Sequence, residues 1–218
     1  MPKKCSCLVL RRLAIYYRYL SQLPSESSHA LSSAEISKQL GIKASQLRQD
    51  LHWFGEFGHQ GYGYDIEYLK GQLCNILHLN MIHPFIIIGA GNLGQALANY
   101  AEFERDGFIL KALFDINPKL IGLRIHNVEI MDMDCLESFA SKNQISIAAI
   151  CTPSNNAQNV ITRAVNAGIK GIWNFASPNV IVPDDVIVEN VYLSESLYTL
   201  AARLDEGNKS AFNELNAH

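Results

Sequence analysis

In "LRRLAIYYRYLSQLP", Leu13, Tyr16, Tyr17 and Leu20 stand at i, i+3, i+4 and i+7, which predicts an amphipathic helix stopped near Pro24. After a serine-rich loop, "SSAEISKQLG" opens with a capping-box pattern, Ser32 and Glu35, and closes at Gly41, which predicts a short second helix. The turn "GIKA" leads into "SQLRQDLHWF", where Leu47, Leu51 and Phe54 lie within about 60° of one another on a helical wheel. Ser45, Arg48, Gln49 and His52 occupy the opposite face. Glycine and aromatic residues alternate in "GHQGYGYDI", the pattern of a small β-ribbon, and "DIEYLKGQLCNILHLN" returns to helical spacing.

From Pro84 the period changes. "FIIIG" is an unbroken apolar run of strand type, "NLGQALANYAEF" a helix with Leu93, Ala96, Leu97 and Tyr100 inward, and "FILKALFD" a second strand. Then come "LESFASKN" as helix, "ISIAAICTP" as strand, "NAQNVITRAVNAG" as helix, and "KGIWNF" and "DVIVENVYL" as strands. This alternation specifies a doubly wound, mostly parallel Rossmann-like sheet. A last helix, "SESLYTLAARL", carries Leu197, Leu200, Ala201 and Leu204 as a stripe after the sheet is complete. The fold class is therefore α/β: an N-terminal winged helix-turn-helix domain over 1–80, a Rossmann domain over 81–192, a C-terminal helix over 193–204, and a flexible polar tail over 205–218.

Charge sharpens this division. The net charge of -3 splits into +3 over residues 1–80, with 9 basic against 6 acidic residues, and -6 over 81–218, with 9 against 15. The front half is the one suited to a polyanion such as double-stranded DNA. No apolar run approaches the roughly 18 residues of a membrane span, and the basic N-terminus has no signal-peptide cleavage site. Five scattered cysteines, Cys5, Cys7, Cys74, Cys135 and Cys151, suggest neither a disulfide framework nor a metal site. The expectation is a cytoplasmic protein with reduced thiols, no membrane partner and no metal.

The most specific motif is "GAGNLG", residues 89–94, directly after a strand and opening a helix. Gly89 permits the tight turn, Gly91 lets the backbone approach a pyrophosphate, and Gly94 lets the helix lie close to the sheet. Ala90, Asn92 and Leu93 complete the turn. Asp115, at the end of the second strand, can accept hydrogen bonds from a ribose diol and repels a 2′-phosphate, so NAD(H) is favoured over NADP(H). FAD and coenzyme A use related cradles and stay open as ligands. "CTPS" and "NFAS" follow the next two strands and place Thr152, Pro153 and Asn174 at the ligand-binding edge of the sheet. His126, Cys151 and Lys170 have no partner at catalytic spacing, so no catalytic residue and no enzymatic activity is expected.

Taken together, "YYRYL", "LRQDL", "FGEFGHQGYGYD", "GAGNLGQALANY", "TPSNNAQ", "AGIKGIWNFA" and "SESLYTLAARL" resemble the redox-sensing transcriptional repressor family Rex, in order from about Leu8 to Leu204. The resemblance implies a homodimer that exchanges its C-terminal helix between subunits, binds a palindromic operator, and releases it when NADH replaces NAD⁺. It places Tyr100 near the nicotinamide. Lys43, Gln60 and Tyr62, together with the polar face Ser45, Arg48, Gln49 and His52, are the expected DNA contacts. Five positions depart from the family pattern, two of them Lys43 and Ala44, where a Thr-Pro cap is usual. Gln49 stands where a lysine is usual, Gln60 where the wing usually has a basic residue, and Tyr192 where an aspartate usually answers an arginine matching Arg18. A relative with weakened or altered operator recognition, and a small NAD-dependent oxidoreductase, are the alternative readings.

Overall fold

The computed structural model describes residues 6–24, 30–55, 57–59, 62–177 and 179–215. Backbone contacts divide the chain between Ile82 and His83 into two compact units.

The first unit is built on α1 (Cys7–Ser21), α2 (Ser33–Leu40), α3 (Ala44–His52) and α4 (Ile66–Ile76), with a ribbon of β1 (Gly58–His59) and β2 (Gly63–Tyr64). The helical periods read from the sequence are the faces that become buried: Leu13, Tyr16 and Leu20 of α1 meet Ile36, Leu47, Leu51, Leu69 and Leu73 in one core. Local chemistry sets the helix ends. The Ser32 hydroxyl accepts from the Glu35 amide at 3.2 Å while the Glu35 carboxylate accepts from the Ser32 amide at 2.8 Å, closing the capping box, and α2 ends at Gly41 with φ +65°. Asp65 caps α4 by accepting from the Tyr68 amide at 2.8 Å. The ribbon is antiparallel, and Leu31 adds a third rung by exchanging two backbone bonds with Tyr64. Only glycine fits at position 63, where a Cβ would stand 2.6 Å from the Leu31 carbonyl oxygen.

The second unit holds β3 (His83–Ile88), β4 (Phe108–Asp115), β5 (Arg124–Ile125), β6 (Val128–Asp132), β7 (Ile147–Ile150), β8 (Gly171–Asn174) and β9 (Ile187–Asn190). These strands form one sheet in the order β5-β6-β4-β3-β7-β8-β9, parallel throughout except for β5 with β6. Without the edge strand β5 this is the order of the doubly wound dinucleotide fold, with its switch point between β3 and β7. Alternation along the strands sends Phe85, Ile87, Leu113 and Ala149 to one face, which α5 (Asn92–Ala98) and α6 (Glu102–Arg105) cover. Ile86, Ile88, Phe114, Ala148 and Ile150 go to the other, against α7 (Leu136–Asn143) and α8 (Ala157–Asn166).

Three elements differ from the sequence reading. The hairpin β5-β6 is additional; its two turn residues, His126 and Asn127, have φ +45° and +65°, as a type I′ turn requires. The single helix read over "NLGQALANYAEF" breaks after Ala98, where the Asn99 side-chain amide turns back to donate to the Gln95 carbonyl at 2.9 Å, and α6 restarts at Glu102. The loose tail placed at 205–218 is instead helical as far as Leu215, because α9 runs from Leu193 to Leu215. No proline interrupts that run, and its one glycine, Gly207, costs only about 1 kcal/mol. Residues 216–218 lie outside the described residues. No described helix is long and apolar enough to cross a membrane.

Candidate functional site

The glycine turn leaves β3 at Gly89, whose φ of +103° and close approach to the next strand exclude a side chain: a Cβ would meet the Cys151 carbonyl group at 2.7 Å. At Gly94 a Cβ would come within 2.0 Å of the Gly89 carbonyl oxygen, so α5 packs on the turn only without one. At Gly91 the same test finds nothing within 4 Å. Gly89 and Gly94 are thus required by the protein's own packing, whereas Gly91 faces space that a ligand can use.

That space is a cavity of about 420 Å³ at the switch point, lined by Gly89, Gly91, Asp115, Ile116, Thr152 and Pro153 among others. Asp115 closes one side, its carboxylate accepting from the Ala90 amide at 2.7 Å and from the Asn117 amide at 2.8 Å. The turn is further fixed by Gln95, whose side-chain amide donates to the Ala90 carbonyl at 2.8 Å. The Thr152 hydroxyl is buried and has no hydrogen-bond partner among the described residues. A buried hydroxyl left so costs about 1–3 kcal/mol, which a ligand's oxygen relieves. An open glycine turn, a carboxylate at the end of the neighbouring strand and an orphaned hydroxyl fit a dinucleotide.

The sequence-predicted residues do not all converge. Gly89, Gly91, Asp115, Thr152 and Pro153 line the cavity, while Ala90, Asn92, Leu93 and Gly94 build the turn and the start of α5. Asn174 is 1% exposed; its side-chain amide donates to Asn190 at 2.7 Å and to the Ser177 carbonyl, and its oxygen accepts from the Ala176 amide at 3.1 Å. It holds the turn after β8 and is absent from the cavity wall. Tyr100 lies beyond the end of α5, half exposed, donating its hydroxyl to Glu102 and packing on Phe103. Sequence alone does not single out Ile116 as lining the cavity, whereas Cys151 comes to its wall with the rest of "CTPS". Ile116 is 73% exposed next to Asp115, and its place directly after the strand-end acid is the signal that marks it. Burial pushes the Cys151 thiol up to about 12, so it is a neutral wall and no nucleophile. Lys170 is paired with Asp185 and His126 forms the β5-β6 turn, which accounts for the other two candidate catalytic groups.

In the first unit, Ser45, Arg48, Gln49 and His52 all lie on the exposed face of α3. The rotation of that helix is set from beneath. Asp50 is 1% exposed and accepts from Arg12 at 2.6 and 2.7 Å, from Tyr16 at 2.8 Å and from Gln46 at 3.0 Å. Burial alone would raise the Asp50 pKa, but the hydrogen bonds from Arg12, Tyr16 and Gln46 outweigh it and hold the carboxyl below its ordinary value. No local pattern announces this network, since Tyr16 and Arg12 lie 34 and 38 residues from Asp50. Between α2, α3 and the ribbon lies a groove of about 770 Å³ lined by Ser33, Glu35, Arg48, His52 and Tyr62 among others. Arg48 donates to the Ser33 hydroxyl at 2.9 Å, Tyr62 is 82% exposed, and Lys43 stands exposed at the start of α3 without capping it. Gln60 and Cys5 lie outside the described residues. Among the described residues no group of three or more His, Cys, Asp or Glu is placed to hold a metal ion.

Residues 4–52 match the family model "Putative DNA-binding protein N-terminus" and residues 80–177 the model "CoA binding domain". The chain is 53% identical over 203 residues to the redox-sensing transcriptional repressor Rex of Thermoanaerobacter pseudethanolicus, covering 93% of this chain and 91% of the relative. Three crystal structures of RSP, a Rex-family repressor, are similar over almost the whole chain. The complex with β-NADH has a TM-score of 0.88 at 49% identity, covering 98% of this chain and 99% of that one. The complex with β-NAD⁺ and operator DNA has a TM-score of 0.87 at 50% identity, covering 99% of each. With a winged helix and a dinucleotide cradle joined in this order and matched along nearly its full length, the chain belongs to the Rex family of redox-sensing transcriptional repressors.

Proposed function

We propose that this chain is a transcriptional repressor that binds operator DNA as a homodimer and leaves it when NADH occupies the glycine turn. The observation that carries this reading is the coexistence in one chain of a recognition helix with its polar face outward and a cradle whose open side lies at Gly91 and Thr152. The similarity to a repressor solved with NADH, and with NAD⁺ and operator DNA, supports the same assignment.

Each group has a physical task. The backbone at Gly91 admits the pyrophosphate to the start of α5, where helix amides have no internal acceptor. The Asp115 carboxylate accepts from the ribose diol, and Ile116 offers an apolar surface to the adenine. Thr152 donates its otherwise unused hydrogen bond to a ligand oxygen. When bound, the dinucleotide supplies a nicotinamide ring whose oxidised and reduced forms differ by a hydride and one positive charge, and only a difference in how the protein holds the two can shift DNA binding. On the DNA side, Lys43 and Arg48 supply cations for phosphates, and Ser45, Gln49, His52 and Tyr62 face the duplex.

Dimerisation is supported by α9. Leu193, Leu197, Tyr198, Leu200 and Leu204 are all more than half exposed in the single chain, an apolar stripe that water disfavours and that a second copy covers. Anisotropy of a labelled palindromic duplex, its half-sites one helical turn of about 34 Å apart, tests the function. Saturating NADH is expected to release the duplex and NAD⁺ to leave it bound; equal binding with both removes the sensing function.

A further inference from the structure

Within the exposed arc of α3, the four polar side chains are not equivalent. Arg48 leans toward α2, tied to the Ser33 hydroxyl at 2.9 Å. Gln46, at the inner border of the arc, is committed to Asp50 at 3.0 Å. Ser45, Gln49 and His52 carry no side-chain hydrogen bond among the described residues. At about 100° per residue, Gln49 lies on the opposite flank of the arc from Arg48 and therefore away from α2. Its orientation is not left to a rotating helix. Asp50 is the next residue, and its four bonds to Arg12, Tyr16 and Gln46 fix the rotation of α3 about its own axis. The Gln49 backbone position is thus held rigid while its amide remains unengaged.

From this arrangement we infer that Gln49 is the residue that specifies one A·T pair in each half-site, reading adenine in the major groove. The assignment rests on the DNA-binding function proposed above. The chemistry selects the base: a primary amide presents one acceptor and one donor side by side, so its oxygen accepts from adenine N6 while its nitrogen donates to N7. Guanine offers two acceptors, O6 and N7, to the same edge and leaves the Gln49 oxygen facing another acceptor. Ser45 hydrogen-bonds either kind of base, because a hydroxyl donates and accepts, and so discriminates little. Arg48, drawn toward α2, is placed to serve a phosphate or a base at the edge of the site.

Selection of the full-length protein against a duplex library with a randomised centre of about 20 bp tests this, using wild type, Gln49→Ala and Gln49→Lys. The wild-type consensus is expected to hold an A·T pair at one position per half-site, and its replacement by G·C to weaken binding about tenfold. Gln49→Ala should lose the preference at that position alone, and Gln49→Lys should convert it to G·C, since lysine donates to O6 and N7. Enrichment of one duplex with the same consensus for wild type and Gln49→Ala overturns the assignment and leaves the repressor function standing. Failure of the wild type to enrich any duplex overturns both.

Discussion

A Cβ at Gly94 strikes the Gly89 carbonyl, so Gly94→Val forces α5 off the turn and destabilises the second unit by about 1–3 kcal/mol. A Cβ at Gly91 has no protein atom within 4 Å, and on the proposed function a side chain there enters the path of the pyrophosphate. Gly91→Val is therefore expected to melt within about 2 °C of wild type while NADH affinity, measured by calorimetry, falls roughly a hundredfold, or about 2.7 kcal/mol. Asp50 brings a pH dependence of known sign. Its folded pKa lies below the unfolded value, so the unfolded chain takes up the proton first as pH falls. The stabilisation is complete above the unfolded pKa of about 4 and is lost as pH drops through the folded one. Asp50→Asn should cost about 2 kcal/mol at pH 7 by weakening charged hydrogen bonds that Arg12, partly exposed, can replace only with water. It should also flatten the acid limb. Urea melts followed by Trp53 fluorescence in a Trp173→Phe background, at about pH 7 and pH 3, measure both. An acid limb unchanged by Asp50→Asn would mean that the network does not set stability in acid.

Among the elements, α9 makes the plainest demand. Its exposed leucines form one stripe, and Leu197→Asp with Leu200→Asp places two carboxylates on the face proposed to meet a second copy. Sedimentation at roughly 10 μM protein should show a dimer for wild type and a monomer for the double variant; a monomeric wild type would leave the stripe unexplained. Wherever a local signal and the packing agree, as in the capping box of α2, the Asp65 cap of α4 and the apolar run of β3, the structure follows the pattern legible in the sequence. β5 and β6 are hidden because "RIHNVEIMD" lacks the usual glycine in its turn, though His126 and Asn127 adopt the same positive φ. The polar composition after Leu204 argues for a loose tail, yet α9 continues, since helix propagation needs only the absence of a strong breaker once a helix is started. In the candidate site, the glycine turn and Asp115 are legible because their roles are backbone and strand-end roles fixed by spacing. Asn174 is expected there from its place in the sheet and Tyr100 from family resemblance, and neither reveals that one side chain is held by Asn190 and the other by Glu102.

Redox sensing requires the two units to share free energy. Neither a nucleotide cradle nor a winged helix alone reports redox state; a repressor does so only if occupancy of the first changes affinity at the second. Such coupling is reciprocal, so the factor by which NADH weakens operator binding must also be the factor by which operator weakens NADH binding. A tenfold effect corresponds to about 1.4 kcal/mol, within the ordinary range for allosteric coupling. Calorimetric titration of the protein with NADH, alone and saturated with its selected palindromic duplex, measures that factor directly. NADH affinity is predicted to be at least about tenfold lower on the duplex, with NAD⁺ affinity not reduced; equal NADH affinity with and without duplex would contradict the coupling.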